Sequence, residues 1–204
     1  SAGDFNGDGY DDLVIGARLA DADGMTDAGE AYVIYGGDFT GEVDNAGTTG
    51  DDLITGSTAD ETLIGGRGDD TIISGGGRDV LRGGEGDDVF EITSEHFDRV
   101  SGGTGTDTLR VIGTGELLDL WNYPYNRIQG IEEIDLSVEG TQFFGATRQD
   151  VLRASDESNT LIVHGTADDV VSIEVGWAIT GSETINSQLY HVLTDGEAIM
   201  KVDA

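Results

Sequence analysis

The chain has 204 residues, of which 41 are acidic and 10 are basic, so its formal net charge is −31. Nucleic acid is excluded as a partner because phosphate binding requires a basic surface, and the absence of cysteine excludes disulfides and thiolate metal sites. Hydrophobic residues make up 37 % of the chain, which is enough for a folded core. So much negative charge favours a cation as the binding partner.

No apolar run reaches the roughly 18–20 residues of a membrane-spanning helix, so we expect no transmembrane segment. No signal-peptide pattern opens the chain, which begins with Ser1. We therefore expect a processed product or a fragment of something longer, folded as one elongated domain or as a few small ones.

The first segment, residues 1–40, contains regularly spaced oxygen-bearing side chains in DFNGDGYDD (4–12). The spacing follows the logic of an EF-hand-like calcium loop, with a glycine at its sixth position. An EF-hand would have glutamate at position 12, where this chain has Ile15, and the strand-like LVIGA (13–17) follows instead of a helix. A metal-free turn rich in Asp and Asn is the alternative.

This stretch resembles an FG-GAP repeat, the integrin-type β-propeller blade, with GEAYVIYGG (29–37) as its later strand. One blade cannot close a propeller, so we expect the last blade of a longer array or a strand-bearing cap, followed by a linker at 41–46. The resemblance implies calcium ligands from the side chains of Asp4, Asn6, Asp8 and Asp12 and from the Tyr10 carbonyl.

Seven nine-residue units run from residue 47 to residue 110, with Ile92 as one extra residue. Glycine-rich turns of six residues, each followed by a three-residue strand with one inward apolar side chain, explain the pattern. Two units would complete a coil of about eighteen residues. The sixth positions are acidic: Asp52, Glu61, Asp70, Asp79, Asp88, Asp98 and Asp107. The eighth positions are apolar: Ile54, Leu63, Ile72, Leu81, Phe90, Val100 and Leu109.

Stacked coils would bring alternate sixth positions onto two edges, with Asp52, Asp70, Asp88 and Asp107 on one. Calcium fits such an edge because it takes six to eight oxygen ligands, including the backbone carbonyls that glycine turns expose. Zinc or copper would require His or Cys, which the units lack apart from His96. A metal-free, solvated acidic coil is the alternative.

The units follow G-G-x-G-x-D-x-U-x, and over residues 47–110 the chain resembles the RTX, or hemolysin-type calcium-binding, family. The resemblance implies several calcium ions, each held between two stacked turns. The first turn would give its second and fourth carbonyls and its carboxylate, and the next turn its first and third carbonyls and its carboxylate. The implied sites are Gly66, Gly68 and Asp70 with Gly83, Glu85 and Asp88; Thr48, Gly50 and Asp52 with Gly65, Arg67 and Asp70; and Gly84, Gly86 and Asp88 with Gly102, Thr104 and Asp107. The other edge would offer Ser57, Ala59 and Glu61 with Ser74, Gly76 and Asp79, and a site running from Gly75, Gly77 and Asp79 to Asp98.

Residues 111–204 are less acidic and alternate apolar and polar side chains. The alternation predicts strands at 131–138, 159–165, 170–177 and within 188–202, where a turn at 194–196 predicts a hairpin. TRQDVLRAS (147–155) predicts one short helix capped by Thr147. The segment is similar to the β-rich region that follows RTX repeats in large bacterial adhesins, and we expect it to cap the solenoid. WNYPY (121–125) could stack against sugars or simply pack at the solenoid end, and Asp168–Asp169 is either a surface turn or an extra calcium site.

These patterns predict an all-β protein: a parallel β-roll, which is a calcium-binding solenoid, with an N-terminal propeller-blade-like segment and a β-rich C-terminal capping domain containing one short helix. The resemblances imply a calcium-binding structural module of a large secreted or cell-surface bacterial protein, an adhesin exported by type I secretion that folds on extracellular calcium. Its partners would be calcium and a host-surface or matrix glycan or protein. The alternatives are a non-catalytic folding and secretion appendage of a secreted RTX enzyme, and a carbohydrate-binding module. We expect no enzyme because H-E-x-x-H and G-x-S-x-G do not occur.

Overall fold

The chain divides into two compact units, residues 1–42 and residues 43–204. The computed structural model describes residues 13–17, 30–34, 43–93, 97–113, 117–122, 127–138, 140–155 and 158–203. In the first unit, β1 (Leu13–Ala17) pairs antiparallel with β2 (Glu30–Ile34), as expected for the two predicted strands. The candidate calcium loop at 4–12 lies outside the described residues.

The nonapeptide units form a β-roll of two parallel sheets. The first sheet contains β3 (Asn45–Ala46), β5 (Thr62–Arg67), β7 (Asp79–Glu85), β9 (Phe97–Thr104) and β12 (Ile128–Gln129). The second begins with β4 (Leu53–Thr55), β6 (Thr71–Ile73), β8 (Val89–Ile92) and β10 (Thr108–Val111). Each coil places a strand beside its equivalent two units later, so Ile54 lies opposite Ile72 and Ile72 opposite Phe90. The repeat period thus becomes the register of the sheets.

The eighth position of every unit lies inside the roll. Ile54 is 3 % exposed and the other six residues at this position are fully buried. Because successive strand residues point to opposite faces, one inward side chain per three-residue strand is enough to fill the narrow interior. The predicted core of residues 47–110 is confirmed.

The second sheet continues through the C-terminal segment without a break. After β10 come β13 (Glu133–Asp135), β15 (Thr160–His164) and β19 (Ile199–Asp203), all parallel, and then the antiparallel strands β18 (Gln188–Thr194) and β17 (Ala178–Ile185). A third, parallel sheet contains β11 (Leu117–Asp119), β14 (Phe143–Ala146) and β16 (Val170–Ile173). The repeats and the C-terminal segment therefore share one hydrophobic core.

Charged side chains on the outer face join the last repeat strand to the C-terminal segment. The Arg110 guanidinium on β10 donates to Glu91 on β8 and to Asp135 on β13, both at 2.9 Å. Hydrogen bonding to Asp135 raises the pKa of Arg110 above its usual value. One cation therefore bridges three adjacent strands of the sheet.

One helix occurs in the described residues outside a short 3-10 turn at Leu120–Asn122: α1 (Arg148–Ala154), which matches the prediction for 147–155. The Thr147 side chain accepts the N–H of Asp150, and the Asp150 carboxylate accepts the N–H of Thr147, which forms a capping box. Among the residues described, no helix is long and apolar enough to cross a membrane.

Candidate metal centre

The sixth-position aspartates of alternate units form a continuous row along one edge of the roll. The N–H of Asp52 donates to Oδ1 of Asp70 at 2.8 Å, the N–H of Asp70 to Asp88 at 2.9 Å, and the N–H of Asp88 to Asp107 at 2.9 Å. Each residue ends a turn and begins a strand, so its N–H is available to the carboxylate of the next coil. Four of the predicted ligand carboxylates are thus stacked one above the other.

In Asp70, Asp88 and Asp107, one of the two carboxylate oxygens has no hydrogen-bond partner. Asp70 is 1 % exposed, and Asp88 and Asp107 are fully buried. Their Oδ1 atoms accept backbone N–H groups, whereas their Oδ2 atoms are buried without a hydrogen bond. An ionised carboxylate buried in this way is costly unless an opposite charge compensates it.

The cost of burying these carboxylates raises their pKa values. Burial raises the pKa of Asp88 to about 6 and that of Asp107 to about 7, and the neighbouring carboxylates of the row add to both shifts. Burial also raises the pKa of Asp70. A cation beside the Oδ2 atoms would favour the charged forms and reverse these shifts.

A glycine lies close to each orphaned oxygen. A Cβ atom on Gly65 would lie against Oδ2 of Asp70 and 2.8 Å from the carbonyl oxygen of Gly83. The same atom on Gly83 would lie against Oδ2 of Asp88 and 2.5 Å from the carbonyl oxygen of Gly102. No side chain therefore fits at these two glycines, because a carboxylate oxygen and the carbonyl oxygen of the next coil both lie too close.

This donor set fits calcium, which is a hard cation that prefers oxygen. Across the described ranges no three acidic or histidine side chains converge on one point. Each candidate site must therefore combine two carboxylates with backbone carbonyls and water, as flexible calcium sites do.

Several of the carbonyls predicted as ligands also accept backbone hydrogen bonds. Thr48 accepts the N–H of Arg67 at 3.3 Å, Glu85 that of Gly68 at 2.8 Å, and Thr104 that of Gly86 at 2.9 Å. A carbonyl oxygen has two lone pairs, so these bonds leave one for a metal ion. The Arg67 and Glu85 side chains instead form an exposed ion pair at 3.3 Å.

At the N-terminal end of the row, Asp52 already has partners for its second oxygen. Its Oδ2 accepts the N–H of Thr48 at 2.7 Å and the Thr48 hydroxyl at 2.8 Å. These bonds lower the pKa of Asp52. The row is therefore capped at its N-terminal end and has orphaned oxygens at its three inner members.

The opposite edge is less regular. Glu61 and Asp79 lie together, since the N–H of Glu61 donates to Oδ1 of Asp79 at 2.9 Å, but Oδ2 of Asp79 is bonded to the Ser74 hydroxyl at 2.6 Å. Asp98 does not join them: a bulge places the fully buried Phe97 opposite Asp79, and Asp98 pairs with Arg78 at the surface at 2.6 Å. The unit at 93–101 contains no glycine.

A second carboxylate row, which the sequence reasoning did not identify, lies at the fifth positions. Oδ1 of Asp51 accepts the N–H of Asp69 at 3.0 Å, Asp69 accepts that of Asp87 at 2.9 Å, and Asp87 accepts that of Thr106 at 2.7 Å. The paired aspartates at 51–52, 69–70 and 87–88 were the available signal. These exposed residues tie the turns together from outside.

A further acid missed by the sequence reasoning is Glu132, beyond the last nonapeptide. Its Oε2 accepts the N–H of Asp107 at 3.0 Å, which adds a fifth acid to the first row. By contrast, Asp169 of the Asp168–Asp169 pair accepts the N–H groups of Thr166 and Gln142, which is the arrangement of a turn.

Two protein families match parts of the chain. The FG-GAP repeat model matches residues 1–34, and the RTX calcium-binding nonapeptide repeat model, with four copies, matches residues 55–90 and 93–110. No curated protein and no solved structure matches the chain significantly. RTX repeats bind calcium and occur in secreted proteins, and both repeat families are structural rather than catalytic. The chain thus carries an FG-GAP repeat followed by RTX calcium-binding nonapeptide repeats, and its stacked aspartate turns make it a calcium-binding module of the kind found in secreted proteins.

Proposed function

We propose that the chain is a calcium-dependent structural module of a large bacterial adhesin, exported unfolded by type I secretion and folded at the cell surface or beyond it on extracellular calcium. The observation that carries the proposal is the set of three buried carboxylates whose Oδ2 atoms have no partner. The module has no catalytic role of its own in this proposal. It supplies a rigid, acidic spacer that folds only when the protein meets extracellular calcium.

The mechanism is coupled folding and binding. Without calcium, the stacked carboxylates repel one another, and the glycine-rich turns lose more backbone entropy on folding than other residues would. A bound ion supplies two positive charges between two turns, and its binding energy becomes folding energy. Each site stabilises the folded state by about 2.7 kcal/mol when calcium is at a hundred times the dissociation constant.

The proposed ions lie between successive members of the first row. One ion joins the turns of Asp52 and Asp70, the next those of Asp70 and Asp88, and the third those of Asp88 and Asp107. A weaker site joins Glu61 to Asp79, where the Ser74 hydroxyl competes for Oδ2 of Asp79. In the N-terminal unit, the loop at 4–12 is proposed to hold a further ion.

The test is a calcium titration of the full chain from EDTA, followed by circular dichroism and isothermal titration calorimetry. We expect strand signal and a cooperative unfolding transition to appear with several bound ions. Equal strand signal in EDTA and in millimolar calcium, without binding heat, would contradict the proposal.

A groove in the C-terminal segment supports glycan binding as a second function. Leu117, Phe143 and Val170 lie opposite one another across β11, β14 and β16, and each is at least 40 % exposed. Together with Trp121, 47 % exposed, they make up four of the eight exposed large apolar side chains of the described residues. They line one groove of about 190 Å³ with Asp119 and Ser172. Concentrated exposure of this kind marks a binding site.

The chemistry of the groove fits a neutral sugar ring. An exposed indole presents an apolar face on which a pyranose can stack, and Asp119 and Ser172 offer hydrogen-bonding groups beside it. The strongly acidic chain disfavours anionic glycans. The other tryptophan, Trp177, packs against the core with its Nε1 buried and does not line this groove.

A glycan array at millimolar calcium tests this second function. We expect binding of neutral glycans that Trp121→Ala and Phe143→Ala abolish, whereas Val175→Ala, at a fully exposed site outside the groove, leaves it unchanged. No binding, or binding unaffected by Trp121→Ala, would exclude the groove.

A further inference from the structure

The acidic row continues past the last nonapeptide into the C-terminal segment. Thr108 lies opposite Glu133, which puts Glu132 at the next step of the row after Asp107. The carbonyl oxygen of Asp107 accepts the N–H of Glu133 at 3.0 Å, just as the carbonyl oxygen of Asp88 accepts that of Thr108 at 2.8 Å. Glu132 therefore occupies the structural place of a sixth-position aspartate, although it lies outside the matched repeats.

Glu132 also makes the contact that defines the row. Its Oε2 accepts the N–H of Asp107 at 3.0 Å across 25 residues, where Asp107 accepts that of Asp88 at 2.9 Å across 19. The turn from Gly130 to Glu132 is shorter than a nonapeptide turn, and the acid at its end is a glutamate instead of an aspartate.

The convergence of a carboxylate and a carbonyl on a glycine is repeated at this step as well. A Cβ atom on Gly102 would lie against both Oδ2 of Asp107 and the carbonyl oxygen of Gly130. Asp107 is fully buried, and its Oδ2 has no hydrogen-bond partner. This is the arrangement found at Gly83, where the two oxygens belong to Asp88 and Gly102.

The row ends at Glu132. Glu133 lies opposite Ile162, so the next residue in the row would be Leu161, which is fully buried and apolar. An ion between Asp107 and Glu132 would therefore be the last one along this edge, and it would lie where β10 of the repeats meets β13 of the C-terminal segment.

We propose that Asp107 and Glu132, with the carbonyl of Gly130 and carbonyls of the turn at 103–105, bind a calcium ion that fastens the C-terminal segment to the last RTX coil. The inference rests on the proposed calcium-dependent function, since it extends the same row by one site. Its consequence is that the last ion stabilises the C-terminal segment directly, because one of its carboxylates belongs to that segment.

The test counts bound ions by native mass spectrometry on the full chain at saturating calcium. Glu132→Gln keeps an oxygen for the N–H of Asp107 but loses the charge, and we expect one ion fewer than in the wild type. Asp107→Asn removes a carboxylate shared by two sites, and we expect two fewer. Glu133→Gln is the matched control: this adjacent acid binds His164 at 2.8 Å, and we expect the wild-type number of ions.

Hydrogen exchange adds a structural readout. In Glu132→Gln we expect calcium-induced protection to be lost at the amides of β13 and β15 and kept at those of β6 and β8. Should this variant not fold, Glu132→Asp retains the charge with a shorter reach, and we expect at least ten-fold weaker binding of one ion alone.

The outcomes separate the two proposals. A wild type that binds no calcium overturns the proposed function. A wild type that binds calcium together with Glu132→Gln or Glu132→Asp variants that bind as many ions with unchanged affinity overturns this inference and leaves the proposed function standing.

Discussion

Asp88→Asn is expected to stabilise the calcium-free chain and to destabilise the calcium-bound chain. Oδ1 of Asp88 accepts the N–H of Asp70 at 2.9 Å, and an asparagine oxygen can keep that bond. Oδ2 is buried without a partner and shares the space beside Gly83 with the Gly102 carbonyl. The substitution therefore replaces an uncompensated buried charge with a neutral amide.

The gain in the absence of calcium follows from the acid strength of Asp88. Burial, with the charges of Asp70 and Asp69, raises its pKa from 3.8 to about 6. Because the folded-state pKa is the higher one, the stability that this residue contributes is present below about pH 4 and is lost as the pH rises through about 6. Well above pH 6, the difference between the two values destabilises the fold by about 3 kcal/mol, which asparagine removes.

In calcium the substitution lowers stability, because it removes bound ions. Asp88 belongs to two proposed sites, each of which stabilises the fold by about 2.7 kcal/mol when calcium is at a hundred times the dissociation constant. Losing both removes about 5 kcal/mol of calcium-dependent stabilisation, and because the gain of about 3 kcal/mol remains, the free energy of unfolding in calcium falls by about 2 kcal/mol. The same substitution therefore changes stability in opposite directions in EDTA and in calcium.

Urea unfolding followed by circular dichroism measures the loss in calcium, and the strand signal in EDTA, compared with that of the wild type, measures the gain. Asp87→Asn is the matched control, because Asp87 is adjacent and exposed and accepts the N–H of Thr106 at 2.7 Å, a bond that asparagine can keep. We expect it to change stability by no more than about 0.5 kcal/mol in either buffer. An Asp88→Asn effect of the same sign in both buffers, or one matched by Asp87→Asn, would refute the reasoning.

Three further predictions concern the acid row, the bridge between sheet strands and the core. Acidifying the calcium-free chain from pH 8 to pH 5 is expected to raise its strand signal in circular dichroism, because burial raises the pKa of Asp107 to about 7 and the resulting penalty, which builds up between about pH 4 and pH 7, is smaller at pH 5; a strand signal that falls would contradict this. Arg110→Met is expected to lower the free energy of unfolding by about 1.5–3 kcal/mol, since two carboxylates lose their donor, whereas Arg67→Met, at an exposed pair, changes it by at most about 1 kcal/mol; equal urea midpoints would show that the bridge has no role. Phe90→Ala, at a fully buried position, is expected to cost about 3–5 kcal/mol, and Leu53→Ala, at a residue that is 70 % exposed, about 0.5 kcal/mol; similar losses in urea unfolding would contradict the assigned core.

The β-roll can be predicted from the sequence because the nine-residue period of the sequence is also the repeat that stacks the coils. Each nine-residue unit has an apolar residue at its eighth position and an acid at its sixth. The apolar residue can be buried while the acid stays in a turn only if two units make one coil. That condition fixes which residues stack. Asp98 escapes the rule because the one-residue insertion at Ile92 and the loss of glycine in its unit shift the register, so Phe97 takes the inward place.

The C-terminal part of the acid row could not be predicted in the same way. Glu132 joins the row through a shortened turn, and no period relates it to Asp107 25 residues earlier. β17 was also missed, because its side chains are exposed along most of its length and give little alternation. The groove around Trp121 depends on the pairing of three strands distant in sequence, which a single strand pattern does not contain.

The pKa values of the aspartates in the acid row rise toward the end of the row that adjoins the C-terminal segment. The pKa of Asp52 is lowered by its bonds to Thr48, whereas burial raises that of Asp88 to about 6 and that of Asp107 to about 7. The electrostatic cost that an ion removes therefore grows toward the end of the row that β13 covers. β13 adjoins this end of the row, since the N–H of Glu133 donates to the carbonyl oxygen of Asp107. An ion at the proposed Asp107–Glu132 site would therefore stabilise the C-terminal segment, and the segment would in turn strengthen binding of that ion, as linkage between a ligand and a folded state requires.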